Sequence, residues 1–589
     1  MPASERYAGI TDDPQVRPFA PRGSRLTWRR NPKWILASVT LVVLIVLIVP
    51  PVLILFQTSL VELRPDGSAG AWTLSHFRQL FSSTSLLRSF INSIIFALGS
   101  ACCSLAIGGT IAWIVERTDT PFKGLAWLTT IISMGTPYIL YVVAWLFLLG
   151  RVGPVNAYYR YALSTNENLI NINSMFGMVL ISGFLWSPLV FLLLSATFRA
   201  ANADMEEAAR MSGAGMLSTI WRISLRLAMP AIVALAIFVF IRSIEAFEVP
   251  ALVGLPGKIT VLTTEVYLST RMSPPDYGHA AAFAVVLSAL VIFLFYLYGK
   301  MTKSASRYHS ITGKGFRPRV ISLGAWRYLT GGLIFGNFLV LIVVPIIAML
   351  WLALLPYYQG FSVQAISRFT SQNFRALAEP YYMEHVINTI VIAAGSATII
   401  MVIATIAGWI AARRGPHFFL LEQLATLPLV FPGIVLGLAV MQIYIRVPIP
   451  IYGTIWIILI AYIITYMPYG LRYVYSGVLQ IHNELEEAAG VSGASEISIL
   501  RRVVAPLLSP ALISGWLFLF LIATKELAVA VLLSGPRSKV IAVAMYDLWS
   551  NGQGGELAAF GLVWTGLMTI ISFVFFSWAR RRGAEMFAA

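Results

Sequence analysis

The sequence has little charge and almost no cysteine. Charged residues make up 12% of 589 positions and hydrophobic residues 58%, whereas soluble domains have roughly 25% charged residues. The two cysteines, Cys102 and Cys103, are adjacent within an apolar run, so no disulfide framework can exist. This composition excludes a water-soluble multidomain chain, a disordered chain and a disulfide-stapled secreted fold.

An ATP-binding motif is also absent. A Walker A motif needs Gly-x4-Gly-Lys-Ser/Thr, and the nearest approach, GLPGKI at 254–259, lacks both the spacing and the hydroxyl. The six histidines show no metal-ligand spacing, and no Ser, His and Asp residues stand in a pattern that indicates a catalytic triad. A polar cluster of Tyr381, Tyr382, Glu384 and His385 favours an aromatic belt at the membrane interface over cation handling. We expect no catalytic residue, metal ligand or cofactor in this chain.

The sequence contains many long apolar runs. A bilayer core about 30 Å thick requires about 20 apolar residues in a helix. Twelve such runs lie near 34–56, 89–114, 125–149, 175–198, 228–250, 280–299, 329–355, 386–411, 419–445, 454–477, 508–533 and 557–578. The sequence therefore predicts an all-α integral membrane protein with about twelve transmembrane helices. About thirty polar residues precede the first run, which favours an uncleaved anchor over a signal peptide.

The net charge of +16 is concentrated in three segments. These are the tail at 1–33, the stretch at 304–328 after six spans, and Arg580–Arg582 after twelve. Even span numbers place all three on one side, and cytoplasmic loops carry the excess of Lys and Arg. We therefore expect both termini in the cytoplasm. Nucleic-acid binding is not expected, because it needs a basic patch on a folded soluble face.

The two halves of the chain repeat each other. Five residues of the first half recur at an offset of 296 (388 − 92), in the pairs Asn92/Asn388, Gly99/Gly395, Ser100/Ser396, Trp113/Trp409 and Arg117/Arg413. Glu207/Glu487 and Pro230/Pro510 have an offset of 280 (487 − 207), because the first half has a polar insert before Pro188. Six spans per repeat is an even number, which predicts two parallel repeats. The expected divisions are a disordered tail at 1–33, repeats at 34–303 and 329–589, and a basic cytoplasmic linker at 304–328.

A polar loop lies between the fourth and fifth spans of each half. The shared residues are Glu206, Glu207, Ala208, Ala209 and Gly213 in the first loop, and Glu486, Glu487, Ala488, Ala489 and Gly493 in the second. This pattern predicts a short helix, a glycine turn with positive φ, and a second helix along the membrane face. The predicted apolar stripe of the second helix is Leu217, Ile220 and Ile223, or Ile497, Leu500 and Val503. Such a helix suits a groove on a partner, and the alternative is an interfacial helix packed on the protein's own loops.

These loops resemble the signature of the permease subunits of binding-protein-dependent ABC importers. The family pattern is Glu-Ala-Ala, three residues, Gly, nine residues and Ile-x-Leu-Pro. Arg226 replaces the final Pro in the first copy, and Val503 and Ala505 replace Ile and Leu in the second. The resemblance covers nearly the whole chain beyond the tail, and it implies the type I ABC importer permease fold.

The resemblance also implies partners and a location. The Glu-Glu-Ala-Ala loops would be coupling helices that dock on two cytosolic ATPase subunits, which bind the ATP. A periplasmic substrate-binding protein would deliver a small solute to this transport subunit in the bacterial inner membrane. Within this family, the fused twelve-span architecture most resembles that of permeases for ferric iron. Permeases for thiamine, aminoethylphosphonate or polyamine are the alternatives. An ion-coupled secondary transporter is the competing class, but it gives no reason for the duplicated loops.

Each fifth span ends in ionisable residues. They are Arg242, Glu245 and Glu248 in the first half, and Lys525 and Glu526 in the second. Charges at membrane depth are costly and usually face a cavity or pathway. The Pro and Gly residues that follow break the helix, which is tolerated where backbone lines a cavity. The sequence predicts a translocation pathway and outer gate here, and the alternative is a structural Arg242–Glu245 pair.

Overall fold

The computed structural model describes residues 32–63, 69–200, 209, 211–213, 215–305, 321–447 and 449–588. The helices of the first half are α1 (Pro32–Ser59), α2 (Ser75–Ser82), α3 (Thr84–Arg117), α4 (Lys123–Gly135), α5 (Tyr138–Leu149), α6 (Pro154–Leu163), α7 (Met175–Ala200), α8 (Met216–Thr219), α9 (Leu225–Ile244), α10 (Leu262–Arg271) and α11 (Tyr277–Ala305). Strands β1 (Val61–Leu63) and β2 (Ala69–Trp72) form a small antiparallel hairpin after α1.

The second half has fifteen helices within the described residues. Its helices are α12 (Trp326–Phe338), α13 (Val344–Ala353), α14 (Val363–Ile366), α15 (Gln372–Ala376), α16 (Pro380–Ala412), α17 (Phe418–Thr426), α18 (Gly433–Arg446), α19 (Ile455–Leu479), α20 (Asn483–Val491), α21 (Glu496–Ile499), α22 (Ala505–Leu507), α23 (Ser509–Ala523), α24 (Ala530–Leu533), α25 (Ile541–Ser550) and α26 (Gly554–Ala588). π-helical turns occupy Ile220–Ser224, Pro250–Gly254, Leu339–Val343 and Leu500–Val504, and a 3-10 turn occupies Leu427–Val430.

The number of membrane-spanning helices agrees with the sequence. Within the described ranges, ten helices are long and apolar enough to cross a membrane, or up to twelve if each of two bent helix pairs is one span. The all-α membrane fold is therefore confirmed, with the β1–β2 hairpin as a small addition. Most of the predicted tail and linker lies outside the described residues, so the predicted domain boundaries stay a prediction.

The third span of each half differs from the prediction. Single helices at 125–149 and 419–445 were expected, but α4 and α5 are separate, and the helices of the second half are bent by 107°. The first-half span candidate runs instead from Tyr138 to Leu163. The breaks fall at Pro137 and Pro432, and the residue before each proline is extended, with ψ of 127° at Thr136 and 118° at Phe431. Proline disfavours a helical residue before it, which ends the first helix there.

The fifth spans also end earlier than expected. Helices at 228–250 and 508–533 were predicted, but α9 ends at Ile244 and α23 at Ala523. In both halves a backbone carbonyl leaves the helical ladder and accepts a side-chain hydroxyl. Thr263 donates to the oxygen of Ala246 at 2.9 Å, and Tyr462 donates to the oxygen of Glu526 at 3.1 Å. Ala246 and Glu526 are equivalent positions at the offset of 280 (526 − 246), so the break belongs to the repeat.

The first helix of each half packs on the other half. Helix α1 contacts α17 and α18, while α12 and α13 contact α4 and α5. Trp34 meets the ring of His417 edge-on at 5.2 Å, and Thr330 donates a hydrogen bond to Thr120 at 2.9 Å. This exchange of helices makes the two halves one packed unit.

The end of the linker is attached to the first half. Ile321 bridges to Thr118, and Asp119 accepts hydrogen bonds from the backbone N–H of Leu323 at 2.9 Å and the hydroxyl of Ser322 at 3.2 Å. The N–H of Leu323 is the main cause that lowers the pKa of Asp119 below its ordinary value. The carboxylate is thus held in its charged form next to the end of α3.

Close helix packing depends on Gly108 in α3. A Cβ at this position would lie 2.4 Å from the carbonyl oxygen of Ser187 and 2.9 Å from the backbone nitrogen of Phe191. Small residues let helix backbones approach closely in membranes. The contact between α3 and α7 therefore needs a residue without a side chain at this position.

We expect Gly108→Ala to destabilise the protein by about 1–3 kcal/mol, because the added methyl must displace backbone atoms of α7. Thermal unfolding of the purified protein in detergent measures the change. Gly299→Ala in α11 is the matched control, since a Cβ there meets no atom within 4 Å. Equal melting temperatures for the two variants would contradict the close contact.

Candidate transport cavity and loop contacts

A cavity of about 110 Å³ lies between the two halves, where the fifth spans break. It adjoins a second cavity of about 240 Å³, and both are lined by Tyr138, Leu185, Trp186, Arg242, Tyr466, Tyr469 and Glu526. We call these two spaces together the central cavity. Glu245 and Glu248 line the smaller space, and Lys525 lines the larger one. All five ionisable residues singled out in the sequence thus lie on its walls, although their role in transport stays a prediction.

The first half contributes a paired charge and an additional carboxylate. Arg242 Nη1 donates to Glu245 Oε2 at 2.6 Å. Glu245 is only 7% exposed, and its Oε1 has no hydrogen-bond partner among the described residues. Within the same part of the chain, Glu248 forms no ion pair. The Arg242–Glu245 pair considered as a structural alternative is therefore present, and it forms part of the cavity wall.

The second half holds its two charges apart. The carboxylate of Glu526 accepts from the hydroxyl of Tyr466 at 2.6 Å and from the backbone N–H of Val529 at 3.1 Å. Lys525 instead reaches across to the first half. Its Nζ donates to the carbonyl oxygen of Met134 at 3.2 Å and lies 4.4 Å from the ring centre of Tyr138. Lys525 and Glu526 therefore contact different partners. This is expected because residues adjacent in sequence point in different directions.

Sequence reasoning missed the aromatic part of this wall. Tyr138, Tyr466 and Tyr469 line both spaces, together with Trp186. A signal was available, because Tyr462, Tyr466 and Tyr469 recur at helical spacing within one membrane span. That pattern does not say whether such a face meets lipid, protein or a cavity.

The Glu-Glu-Ala-Ala loops have the predicted glycine turns. Gly213 and Gly493 have φ of +81° and +84°, which favours glycine. In the second loop, α20 carries the Glu-Glu-Ala-Ala residues. In the first, Glu206, Glu207 and Ala208 lie outside the described residues, whereas Ala209 and Gly213 are described.

The two glutamates of the second loop have different surroundings. Glu486 accepts from Arg413 Nε and from the indole N–H of Trp409, each at 3.0 Å. Arg413 also donates to the carbonyl oxygen of Ile481 at 2.7 Å. Glu487 and Ala488 are exposed, and Ala489 is half-buried. Glu486 therefore fastens α20 to the end of α16, while Glu487 faces outward.

The helical segment after the second glycine buries a face within the chain that differs from the predicted apolar stripe. Ile497 is 55% exposed, whereas Ile499, Val504 and Leu508 are buried. The π-helical turn at Leu500–Val504 adds one residue to a helical turn. The buried residues are therefore five positions apart from Ile499 to Val504 and four apart from Val504 to Leu508. The first half has a π turn at the equivalent position, Ile220–Ser224.

Exposed apolar side chains lie just after both Glu-Glu-Ala-Ala segments. Met211 is 90% exposed and Val491 is 91% exposed, and the two positions are equivalent at the offset of 280 (491 − 211). The repeat thus exposes an apolar side chain at the same position of both loops.

We expect Glu486→Gln to loosen α20, because the substitution removes charge-assisted hydrogen bonds from Arg413 and Trp409. Loss of such bonds costs about 1.5–3 kcal/mol, so amide hydrogen exchange of residues 483–491 should accelerate by about tenfold or more. Its exposed neighbour provides the control, Glu487→Gln, which should exchange at the wild-type rate. Identical exchange in both variants would refute the fastening role of Glu486.

Comparison with known proteins places these features in a family. The model for "binding-protein-dependent transport system inner membrane component" matches residues 104–304 and 404–582. The ferric transport system permease protein FbpB of Actinobacillus pleuropneumoniae is 23% identical over 582 residues, covering 94% of this chain and 80% of the relative. A putative ferric transport system permease protein, FbpB 1 of Haemophilus influenzae, is 24% identical over 507 residues, covering 84% and 77%.

One solved structure is also similar in part. A bacterial ABC transporter involved in the import of the acidic polysaccharide alginate covers 46% of this chain and 96% of its own, with 18% identity and a TM-score of 0.39. The family model matches twice, once in each half, and the two matches together span more than half of the chain. These matches confirm the predicted two-repeat importer permease over the secondary transporter. The chain belongs to the family of inner membrane components of binding-protein-dependent transport systems.

Proposed function

We propose that the chain forms the transmembrane pathway of an ATP-driven importer for ferric iron. The observation that carries this proposal is the similarity to two ferric permeases over most of both chains, including both repeats. A substrate-binding protein would deliver the iron at the face opposite the Glu-Glu-Ala-Ala loops. The central cavity supports a path between the halves, because residues of both line it.

Energy would come from two cytosolic ATPase subunits docked on the Glu-Glu-Ala-Ala loops. Support comes from the exposed Glu487 and Ala488, and from Met211 and Val491 at equivalent positions. These side chains combine apolar area with charge at its edge, which suits a protein interface. ATP would bind to the partner subunits, and no cofactor would bind to this chain.

The orientation follows from the basic residues. The tail, the linker and the C-terminal arginines would lie in the cytoplasm with the loops, since Lys and Arg concentrate on that side of a bacterial inner membrane. The described residues support this arrangement, because Lys33 at the start of α1 lies 3.7 Å from Glu496 beside the second loop. The start of α1 and the second loop are thus on the same face.

The loops can be tested by co-purification. We expect a Glu207→Ala/Glu487→Ala double variant to lose the ATPase subunits, because both loops would lose the charge that flanks the docking surface. The amount of ATPase recovered with the affinity-tagged permease measures the effect. Glu379→Ala/Glu384→Ala is the matched control, since both glutamates are exposed at the opposite end of α16. Retained ATPase in the loop variant would count against the docking role.

Transport can be tested by uptake of radiolabelled ferric iron into cells that express the complete transporter. We expect uptake by the wild type, and background uptake by Glu245→Ala and Glu526→Ala at unchanged membrane abundance, because each loses a carboxylate of the cavity wall. Glu384→Ala should transport normally. Normal uptake in both cavity variants would refute their place in the pathway, whereas a wild type that imports putrescine or thiamine instead of iron would refute the substrate.

A further inference from the structure

The walls of the central cavity carry more negative than positive charge. Three carboxylates, those of Glu245, Glu248 and Glu526, face two cationic groups, those of Arg242 and Lys525. If all five are ionised, the walls have a net charge of −1 (2 − 3). An unbalanced charge in a buried space is costly and favours an ion of opposite sign.

The positive groups do not neutralise the carboxylates completely. Arg242 pairs with one oxygen of Glu245, whose other oxygen has no hydrogen-bond partner in the described part of the chain although the residue is only 7% exposed. The ammonium of Lys525 is occupied by the carbonyl of Met134 and the ring of Tyr138. Glu248 thus faces the cavity without an ion pair among the described residues.

The remaining wall also suits a cation. Tyr466 orients the carboxylate of Glu526 through its hydroxyl. Tyr138, Tyr469 and Trp186 add phenol oxygens and aromatic faces. Hard metal cations prefer carboxylate and other oxygen ligands, and ammonium groups bind over aromatic rings. The chemistry of the wall therefore selects for positive charge rather than for an anion.

We propose that the central cavity is a cation-binding site in which Glu248 and Glu526, with the unpaired oxygen of Glu245, hold the transported ion in transit. This inference rests on the proposed function as an importer of a cationic metal. Among the described residues, no three His, Cys, Asp or Glu side chains are close enough to form a metal centre. The proposed site therefore attracts the ion by charge and has no preformed ligand shell of this kind.

Such a site explains why positive groups share the cavity with the carboxylates. A conducting site must attract its ion and also release it. Arg242 and Lys525 offset part of the attraction, so that binding stays weak enough for the ion to leave. Lys525 thus weakens the binding of the ion, whereas Glu248 strengthens it.

The test uses Tb³⁺, a hard trivalent cation whose luminescence is sensitised by nearby tyrosine and tryptophan, on the purified full-length chain in detergent. Titration should show a sensitised signal in the wild type. We expect Glu248→Gln and Glu526→Gln each to weaken binding by about tenfold, and Lys525→Met to strengthen it several-fold. Tightening in the lysine variant separates charge from misfolding, because a damaged fold does not improve binding.

Two controls complete the experiment. Glu384→Gln removes an exposed carboxylate outside the cavity and should bind Tb³⁺ like the wild type. Competition with putrescine distinguishes the two kinds of cation. Displacement of Tb³⁺ by Fe³⁺ supplied as its nitrilotriacetate complex, and not by putrescine, is expected.

The outcomes separate this inference from the proposed function. If putrescine displaces Tb³⁺ from a site that depends on Glu248, the cation site stands and the ferric substrate is wrong. If Tb³⁺ binds equally to the wild type and to all three cavity variants, or if only Glu384→Gln weakens it, the cation site is overturned. Cellular uptake of ferric iron could then still support the proposed function.

Discussion

The break in each fifth span is the constraint on which the rest of the structure depends. A backbone carbonyl inside a membrane protein needs a hydrogen-bond partner when it leaves the helix. The hydroxyls of Thr263 and Tyr462 provide one to Ala246 and Glu526. Because these partners come from other helices, the chain can change direction at this depth. The cavity and its charged walls lie at these two breaks.

Equivalent positions of the two repeats carry different side chains at the cavity wall. Glu245 and Lys525 are equivalent positions (525 − 245 = 280), yet they carry opposite charges. Tyr138 corresponds to Gly433 (433 − 138 = 295), and a Cβ at Gly433 would lie 3.3 Å from Oε1 of Glu526. The second half thus makes room for a carboxylate where the first half places an aromatic ring. A fused chain permits this asymmetry, since each copy can change independently.

The Glu-Glu-Ala-Ala loops show a similar division of roles. Glu486 bonds to Arg413 and Trp409 and belongs to the permease's own framework. Glu487 faces outward beside Val491. The loop is fastened to α16, whose other end carries the hydrogen bonds of Asn388 to the backbone oxygens of residues 537 and 539. A single helix, α16, therefore connects the loop with the segment that follows the fifth span.

The sequence by itself determined the membrane class, the twofold repeat, the family resemblance and the charged residues of the cavity, because apolar runs, matched spacings and rare charges are local properties of the chain. It did not determine the helix breaks at Pro137 and Pro432, the buried face around the π turn at Leu500–Val504, or the tyrosines of the cavity wall. These features depend on which helices pack against each other. The spacing of residues along one helix does not identify the helices that pack against it. Only the tertiary structure decided that Glu486 bonds within the chain while Glu487 faces outward. Adjacent residues of a helix point in different directions, and only the packing of the helix shows which of the two side chains contacts the rest of the protein.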